Sequence, residues 1–284
     1  MKKFVFAMLA CYSLTTLANN KAIYGVDSRI DVNDSKNSIH KELASSVAAL
    51  IPGYVTRVDR SERSFSFMDL TLADTSRVCS SERFAHQHAV STCTGFLDAP
   101  DKLITAGHCI QNESDCEDAQ WVFDYKLGTE QDAFVESLPQ DSVYTCKRVV
   151  KSSLGIFIKK DWALIELDRK VVGRKPLELN TKKPSKNDKI FTIGTPSGLP
   201  LKVATGSVRS VKIGNFFRTN LDTYAGNSGS PVFNASNEVI GILVRGDNDY
   251  ESQLFCNTSV VYPENGGRGE DVSYIKEAAA ALGL

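Results

Sequence analysis

Short apolar runs alternate with turn-forming residues along most of the chain, from residue 46 onward. Runs of strand length include SVAALI at 46–51, ALIEL at 163–167 and VIGILV at 239–244, and Gly, Pro, Asn or Asp bound most of them. Many short strands without long helical periodicity are typical of a β-sandwich or β-barrel. The pattern therefore predicts an all-β protein.

The C-terminal tail departs from this pattern. The run YIKEAAAAL at residues 274–282 has the composition of a helix, which Asp271 can cap and Gly283 can end. We therefore expect one α-helix at the C-terminal end of the chain.

The first residues have the layout of an export signal. Two lysines precede an apolar stretch that continues to Leu17, and the small residues of TLA at 16–18 precede a cleavage point after Ala18. The run is short for a membrane-spanning helix. The pattern predicts a signal peptide over residues 1–18 and a secreted or periplasmic protein.

Two further interpretations concern the same end of the chain. A lipoprotein cut before Cys11 is the alternative to the signal peptide, although Met8 is a poor residue three positions before such a cut. Residues 19–44 are polar and rich in Asn, Asp and Ser, which favours a leader or short pro-segment and an N-terminal arm.

Composition limits the class of function. The 284 residues include 33 Lys+Arg and 34 Asp+Glu, for a formal net charge of −1, which argues against a nucleic-acid partner. The hydrophobic fraction of 42% and charged fraction of 24% are those of a soluble globular protein. After signal removal we expect no membrane partner and a monomer.

The cysteine count agrees with export. Of seven cysteines, removal of Cys11 leaves six, which predicts three disulfides among 15 possible pairings. The remaining six are Cys79, Cys93, Cys109, Cys116, Cys146 and Cys256. The spacing of Cys79, His86, His88 and Cys93 is not a familiar zinc pattern, so no metal and no cofactor are expected.

Three segments carry candidate chemistry. They are LITAGHC at 103–109, DWALIEL at 161–167 and GNSGSP at 226–231. A serine hydroxyl needs a neutral imidazole to take its proton, and a carboxylate orients that imidazole. Glycines beside the serine let backbone N–H groups approach a developing oxyanion. The set predicts nucleophilic acyl transfer.

At these motifs the chain resembles the chymotrypsin-like (trypsin-like) serine peptidases. The segment GNSGSPVFN at 226–234 is similar to that of the bacterial glutamyl-endopeptidase branch, and the resemblance covers about residues 45–282. It implies two six-stranded antiparallel β-barrels, the first over residues 45–170 and the second, with the helix, over 171–284.

The resemblance also implies roles for individual residues. His108 is the general base, Asp161 its orienting partner and Ser228 the nucleophile. The N–H groups of Gly226 and Ser228 form the oxyanion hole, and a Cys93–Cys109 disulfide holds the histidine loop.

Two positions depart from the family's pattern. Asn227 stands where trypsin-type enzymes have an aspartate that pairs with a newly formed N-terminal amine, so that activation switch is expected to be absent. IYGV at 23–26 still resembles the start of a mature chain. Val244 replaces a serine that commonly helps to hold the triad aspartate.

The predicted specificity pocket combines Asp222 and Thr223 with Leu243, Val244 and Arg245. Asp222 lies six residues before Ser228, where trypsin-like enzymes carry the aspartate that binds a substrate Arg or Lys. The alternative is a turn carboxylate held by local N–H groups or neutralised by Arg245. Leu243 occupies the position of the glutamyl branch's pocket histidine, which disfavours glutamate specificity.

The expected function is an exported serine endopeptidase that acts on protein or peptide substrates and cleaves after Arg or Lys. A catalytically silent binding protein on a protease scaffold is one alternative. A glutamyl-specific peptidase is another, and the same triad also permits esterase activity.

Overall fold

The computed structural model describes residues 22–129, 131–155, 160–211 and 214–282. The predicted signal peptide lies outside them. The described strands are β1 (Ile23–Tyr24), β2 (Ile30–Asp31), β3 (Val47–Pro52), β4 (Thr56–Asp59), β5 (Ser64–Phe67), β6 (Cys93–Ala99), β7 (Lys102–Thr105), β8 (Ala119–Phe123), β9 (Leu138–Pro139), β10 (Val143–Gly155), β11 (Lys160–Leu167), β12 (Lys189–Gly194), β13 (Lys202–Val211), β14 (Phe216–Thr219), β15 (Pro231–Phe233), β16 (Val239–Arg245), β17 (Tyr250–Ser252), β18 (Asn257–Ser259), β19 (Val261–Tyr262) and β20 (Glu270–Tyr274).

The described helices are short. They are α1 (Ser38–Ala44), α2 (Leu72–Ser76), α3 (Glu113–Glu117) and α4 (Lys276–Leu282). Four single 3-10 turns also occur, at Val32–Asp34, Gly53–Val55, Gln140–Ser142 and Pro196–Gly198.

Six strands from the first part of the chain close into an antiparallel barrel in the order β10-β11-β7-β6-β3-β8. Its interior is filled by large apolar side chains, among them Leu103, Trp121, Phe123 and Ile165. A closed barrel of six short strands leaves no open sheet edge.

The second barrel has the order β12-β15-β16-β20-β14-β13, and β13 pairs back onto β12 to close it. Val208, Phe217, Val232 and Val272 pack inside it. The short strand β2 adds to β13 from the N-terminal side of the chain. The two predicted six-stranded antiparallel barrels are therefore confirmed.

One apolar cluster joins the two barrels. Phe96, Ile104 and Trp162 from the first barrel share it with Phe233 and Val244 from the second. Because these side chains are buried between the barrels, loops that leave the adjoining strand ends are held at the same interface.

The predicted C-terminal helix is present, but it begins later than expected. Asp271 and Tyr274 lie in β20, which pairs with both β14 and β16, and the helix starts at Lys276. Asp271 is not a helix cap, since its Oδ1 accepts from Arg218 Nε at 2.9 Å and its other oxygen pairs with Arg268. Strand pairing on two sides outweighs the local helical composition.

The described cysteines form three disulfides. The bridges are Cys79–Cys256, Cys93–Cys109 and Cys116–Cys146. Among the residues that the structure describes, none of the helices has the length and apolar character needed to cross a membrane.

Candidate active site

His108 follows strand β7 after a tight turn at Gly107. A Cβ atom at Gly107 would lie 2.7 Å from the carbonyl oxygen of Ser153 and 3.0 Å from backbone atoms of Trp162. Only glycine therefore lets this turn approach β10 and β11. Cys109, the residue after His108, is bonded to Cys93 of β6. The turn and this disulfide together fix the direction of the imidazole.

Asp161 lies near the start of β11 and holds His108 at two points. Its Oδ2 lies 3.0 Å from His108 Nδ1, and its Oδ1 accepts a hydrogen bond from the backbone N–H of His108 at 3.1 Å. The carboxylate is only 6% exposed. Since Nδ1 donates to the carboxylate, the neutral ring presents Nε2 as its proton acceptor.

Ser228 lies in the turn that precedes β15 and is 3% exposed. Its carbonyl oxygen accepts a hydrogen bond from Thr94 N at 2.8 Å. The sulfur of Cys109, which the disulfide leaves without a proton to donate, packs 3.7 Å from that same carbonyl. The structure therefore brings the serine turn directly against the neighbour of His108.

Gly226 and its surroundings shape the turn before the serine. Gly226 has φ of +91°, and a Cβ atom there would lie 2.3 Å from the carbonyl oxygen of Thr195. The carbonyl of Ala225 accepts from Ser197 N. Because the N–H of a trans peptide points away from its carbonyl, the N–H of Gly226 is directed to the opposite side.

Asn227 is buried within the same turn. Its Oδ1 accepts from the hydroxyl of Ser230 at 3.4 Å, and a Cβ atom at Gly194 would lie 2.5 Å from that oxygen. A neutral amide packed in this way offers no charge to attract an N-terminal amine.

Asp222 faces the N-terminal arm, here residues 22–31. Its Oδ1 accepts from the backbone N–H of Tyr24 at 2.7 Å, and its Oδ2 accepts from the N–H and hydroxyl of Ser28 at 2.8 and 2.6 Å. Burial raises the pKa of the Asp222 carboxyl, and these donors oppose the shift. These donors lie 198 and 194 residues away in the chain, so the N-terminal arm holds the carboxylate and local N–H groups of its own turn do not.

Arg245 does not neutralise Asp222 through a described ion pair. Its Nε lies 4.0 Å from Asp271 instead. Leu243 and Val244 are fully buried, Leu243 in the second barrel and Val244 in the shared core between the barrels. Their side chains are core residues, so this strand can line a substrate groove mainly through its backbone.

Glu270 is a residue that sequence reasoning missed. It is 0% exposed and accepts hydrogen bonds from Thr223 Oγ1 at 2.7 Å and Tyr24 Oη at 3.0 Å. A Cβ atom at Gly246 would lie 2.1 Å from both of its carboxylate oxygens. It follows Ser228 by 42 residues, and the pairing of β20 with β14, in which Glu270 lies opposite Thr219, brings it here.

A cavity of about 260 Å³ opens beside His108. It is lined by residues that include Leu50, Thr92, Asp115 and Asp118. The sulfurs of Cys93 and Cys109 lie close to the imidazole, but both belong to the disulfide and are not thiolate ligands.

Solved structures share this architecture. A glutamyl endopeptidase crystallised in complex with MPD matches with a TM-score of 0.50 at 17% identity, covering 92% of this chain and all of that one. The serine endoprotease from Yersinia pestis matches with a TM-score of 0.52 at 15% identity, covering 88% of this chain and 65% of that one. At these identities the likeness shows the fold.

Sequence comparison gives a closer relation over a shorter stretch. Glutamyl endopeptidases of Staphylococcus epidermidis are 44% identical over 77 residues, which is 26% of this chain and 27% of theirs. The match thus spans about a quarter of the length of these relatives. The family model of the trypsin-like peptidase domain matches residues 93–242, just over half of the chain. The chain belongs to the trypsin-like peptidase family.

Proposed function

We propose that this protein is an exported serine endopeptidase that hydrolyses peptide bonds through Ser228, His108 and Asp161. The observation that carries the proposal is the two-point contact between Asp161 and His108, set against the glycine-rich turn that bears Ser228. The hydrogen bond to Nδ1 orients the ring so that Nε2 acts as the base, and the other one holds the backbone of His108.

The reaction follows from this orientation. His108 Nε2 takes the hydroxyl proton as Ser228 Oγ attacks the substrate carbonyl carbon, and Asp161 stabilises the imidazolium. The N–H groups of Gly226 and Ser228 donate to the oxyanion. The imidazolium then gives its proton to the leaving amine. Water next attacks the acyl carbon while His108 Nε2 takes its proton, and that proton passes to Ser228 Oγ as the ester bond breaks.

Export is supported by the cysteines and by the first residues. Disulfides persist mainly in oxidising compartments, and all six cysteines of the described chain are paired. Together with the signal-like sequence at 1–18, they support a secreted or periplasmic enzyme that acts on protein or peptide substrates.

Specificity has two candidates. Cleavage after Arg or Lys is our proposal, because the predicted pocket contains the buried carboxylate of Asp222. Cleavage after Glu is the second candidate, since the Staphylococcus epidermidis relatives are named glutamyl endopeptidases. Leu243, apolar and buried, offers no positive charge to a substrate glutamate.

Labelling and turnover test the proposal. The protein without residues 1–18 should react with a fluorophosphonate at Ser228 and should cleave casein and a peptide library. Ser228→Ala should abolish labelling and lower turnover on the order of 10⁶-fold, as other triad knock-outs do. A folded protein that neither labels nor cleaves would be the catalytically silent binding protein.

A further inference from the structure

We infer that the cavity beside His108 receives the side chain of one of the first two residues after the scissile bond, and that Asp118 selects a basic side chain there. This specificity rests on the proposed peptidase function and is independent of the residue before the bond. It concerns the half of the substrate that leaves as the amine.

The serine turn is flanked by a different strand on each side. On one side, the carbonyl of Leu243 in β16 accepts from Gly229 N at 2.8 Å. On the other side, the backbone N–H of Thr94 in β6 donates to the carbonyl of Ser228 at 2.8 Å. Thr92, two residues before Thr94, lines the cavity. The cavity therefore adjoins the β6 side of the serine turn.

His108 connects this cavity to the leaving group. In the proposed reaction the imidazolium donates its proton from Nε2 to the amine, which requires the amine nitrogen to lie within hydrogen-bond reach of that atom. The first residues after the scissile bond therefore start beside the ring. Because His108 itself lines the cavity, the side chain of one of these residues can enter it directly.

The dimensions of the cavity suit one side chain. Its volume of about 260 Å³ is below the roughly 300–1,000 Å³ of pockets that enclose a whole small ligand. Leu50 and Pro52 of β3 supply an apolar wall, against which the methylene groups of a long side chain can pack. Thr92 is fixed beside this wall, because its N–H donates to the carbonyl of Leu50 at 2.9 Å.

Two carboxylates line the cavity. Asp115 lies in α3 and Asp118 lies directly after this helix. One oxygen of Asp115 accepts from the N–H groups of Gln111 and Asn112 at 2.8 and 3.2 Å, so this carboxylate also holds its own loop. Asp118 is exposed, and its side chain makes no hydrogen bond or ion pair with the residues that the structure describes. Its negative charge is available to a substrate.

Two cations of the adjoining strand are paired elsewhere. The Cys116–Cys146 disulfide bonds α3 to β10 and so holds both carboxylates in place. Lys147 and Arg148 of β10 bind Glu166, with N–O distances of 2.7 and 2.5 Å. The described lining of the cavity contains no lysine or arginine. A basic side chain of the substrate is therefore attracted by the carboxylate at the cavity, and a substrate glutamate is repelled.

Acyl transfer to dipeptide amides measures this specificity. The acceptor's amine nitrogen bonds to the carbonyl carbon of an acyl-enzyme formed from a peptide ester, His108 Nε2 takes its proton, and that proton passes to Ser228 Oγ as it leaves. Arg-Ala, Ala-Arg, Glu-Ala, Ala-Glu and Ala-Ala amides cover both positions, and the ratio of aminolysis to hydrolysis is the readout. The wild type should favour an Arg acceptor over Ala-Ala about 3- to 5-fold at low salt, as an exposed ion pair allows. Glu acceptors should react less than Ala-Ala.

Asp118→Asn should remove most of this preference, and Asp118→Lys should reverse it in favour of Glu acceptors. Salt should weaken the wild-type preference, because the Debye length falls from about 30 Å at 0.01 M to about 3 Å at 1 M. Glu117→Gln is the matched control, since it removes one negative charge from the preceding exposed residue, which does not line the cavity. Its acceptor profile should stay that of the wild type.

Equal use of all acceptors by the wild type, or a preference for Glu, would overturn the inference. So would the same loss of preference in Asp118→Asn and Glu117→Gln. Fluorophosphonate titration counts reactive Ser228 in every variant, so this specificity can fail while the peptidase function stands. If the wild type neither labels nor hydrolyses the ester, the peptidase function fails and the inference fails with it. If Asp118→Asn does not fold, the reversal expected in Asp118→Lys decides the question.

Discussion

The backbone N–H of Tyr24 donates a hydrogen bond at 2.7 Å to Oδ1 of Asp222, 198 residues further along the chain. Ser28 adds two more donors to the second oxygen. The arm is therefore closed onto the segment that leads to Ser228, and the carboxylate predicted to bind substrate holds part of its own chain.

Asp222→Ala should loosen this closure. It leaves the N–H groups of Tyr24 and Ser28 without their acceptor, so the free energy of unfolding should fall by about 3 kcal/mol. Urea unfolding measures the loss, and hydrogen exchange should rise across residues 22–31. Unchanged exchange in the arm would contradict this role.

Gly226→Ala should lower kcat on the order of 10²–10³-fold, the range seen for loss of an oxyanion donor, because the added Cβ displaces the turn. Steady-state kinetics measure the effect. Gly173→Ala is the matched control, since Gly173 has φ of +78° with nothing within 4 Å of its Cβ position. An equal kcat for both variants would argue against a role of Gly226 in the reaction.

Removal of the Cys93–Cys109 bridge should impair both stability and catalysis. The cysteines are 16 residues apart, which corresponds to about 3 kcal/mol in the chain-entropy model. Displacement of His108 should lower kcat on the order of 10²-fold in Cys93→Ser/Cys109→Ser. Chemical denaturation and kinetics on the folded variant measure the two effects.

The Cys79–Cys256 bridge serves as the comparison. It closes a span of 177 residues, so Cys79→Ser/Cys256→Ser should lose at least as much stability. Its kcat should change less, because the histidine loop keeps its bridge. A larger loss of kcat in Cys79→Ser/Cys256→Ser than in Cys93→Ser/Cys109→Ser would count against a positioning role for the Cys93–Cys109 bridge.

Asp98→Asn should stabilise the protein at pH 7.5. Burial raises the pKa of Asp98 from 3.8 to about 6. The folded state therefore binds this proton more tightly than the unfolded state. The contribution of the Asp98 carboxyl to the free energy of unfolding is therefore fully present below about pH 4, and it is lost as the pH rises through about 6.

Thermal unfolding at two pH values checks this sign. The amide side chain at position 98 of the variant is neutral at both pH values. The melting temperature of the variant should therefore exceed that of the wild type by a few °C at pH 7.5, with a smaller difference at pH 4. An equal difference at both pH values would show that ionisation of Asp98 is not the cause.

Much of this protein was predictable because its patterns are local. The alternating apolar runs predicted strands, and the motifs around His108, Asp161 and Ser228 predicted, from neighbouring residues, the triad that we propose. Closure into two barrels followed from the family resemblance and is what the structure shows.

Only the tertiary structure decided which carboxylate faces which partner. The sequence does not distinguish the three carboxylates by partner. Asp222 accepts from the N-terminal arm, Glu270 lies between Thr223 and Gly246, and Asp271 pairs with arginines. The register of β20 against β16 and the path of the N-terminal arm determine these partners. Both are contacts between residues far apart in the chain, and local sequence carries no information about them. Asp271, expected as a helix cap, lies in strand β20. Backbone hydrogen bonds from β20 to β14 on one side and to β16 on the other outweigh the local helical propensity.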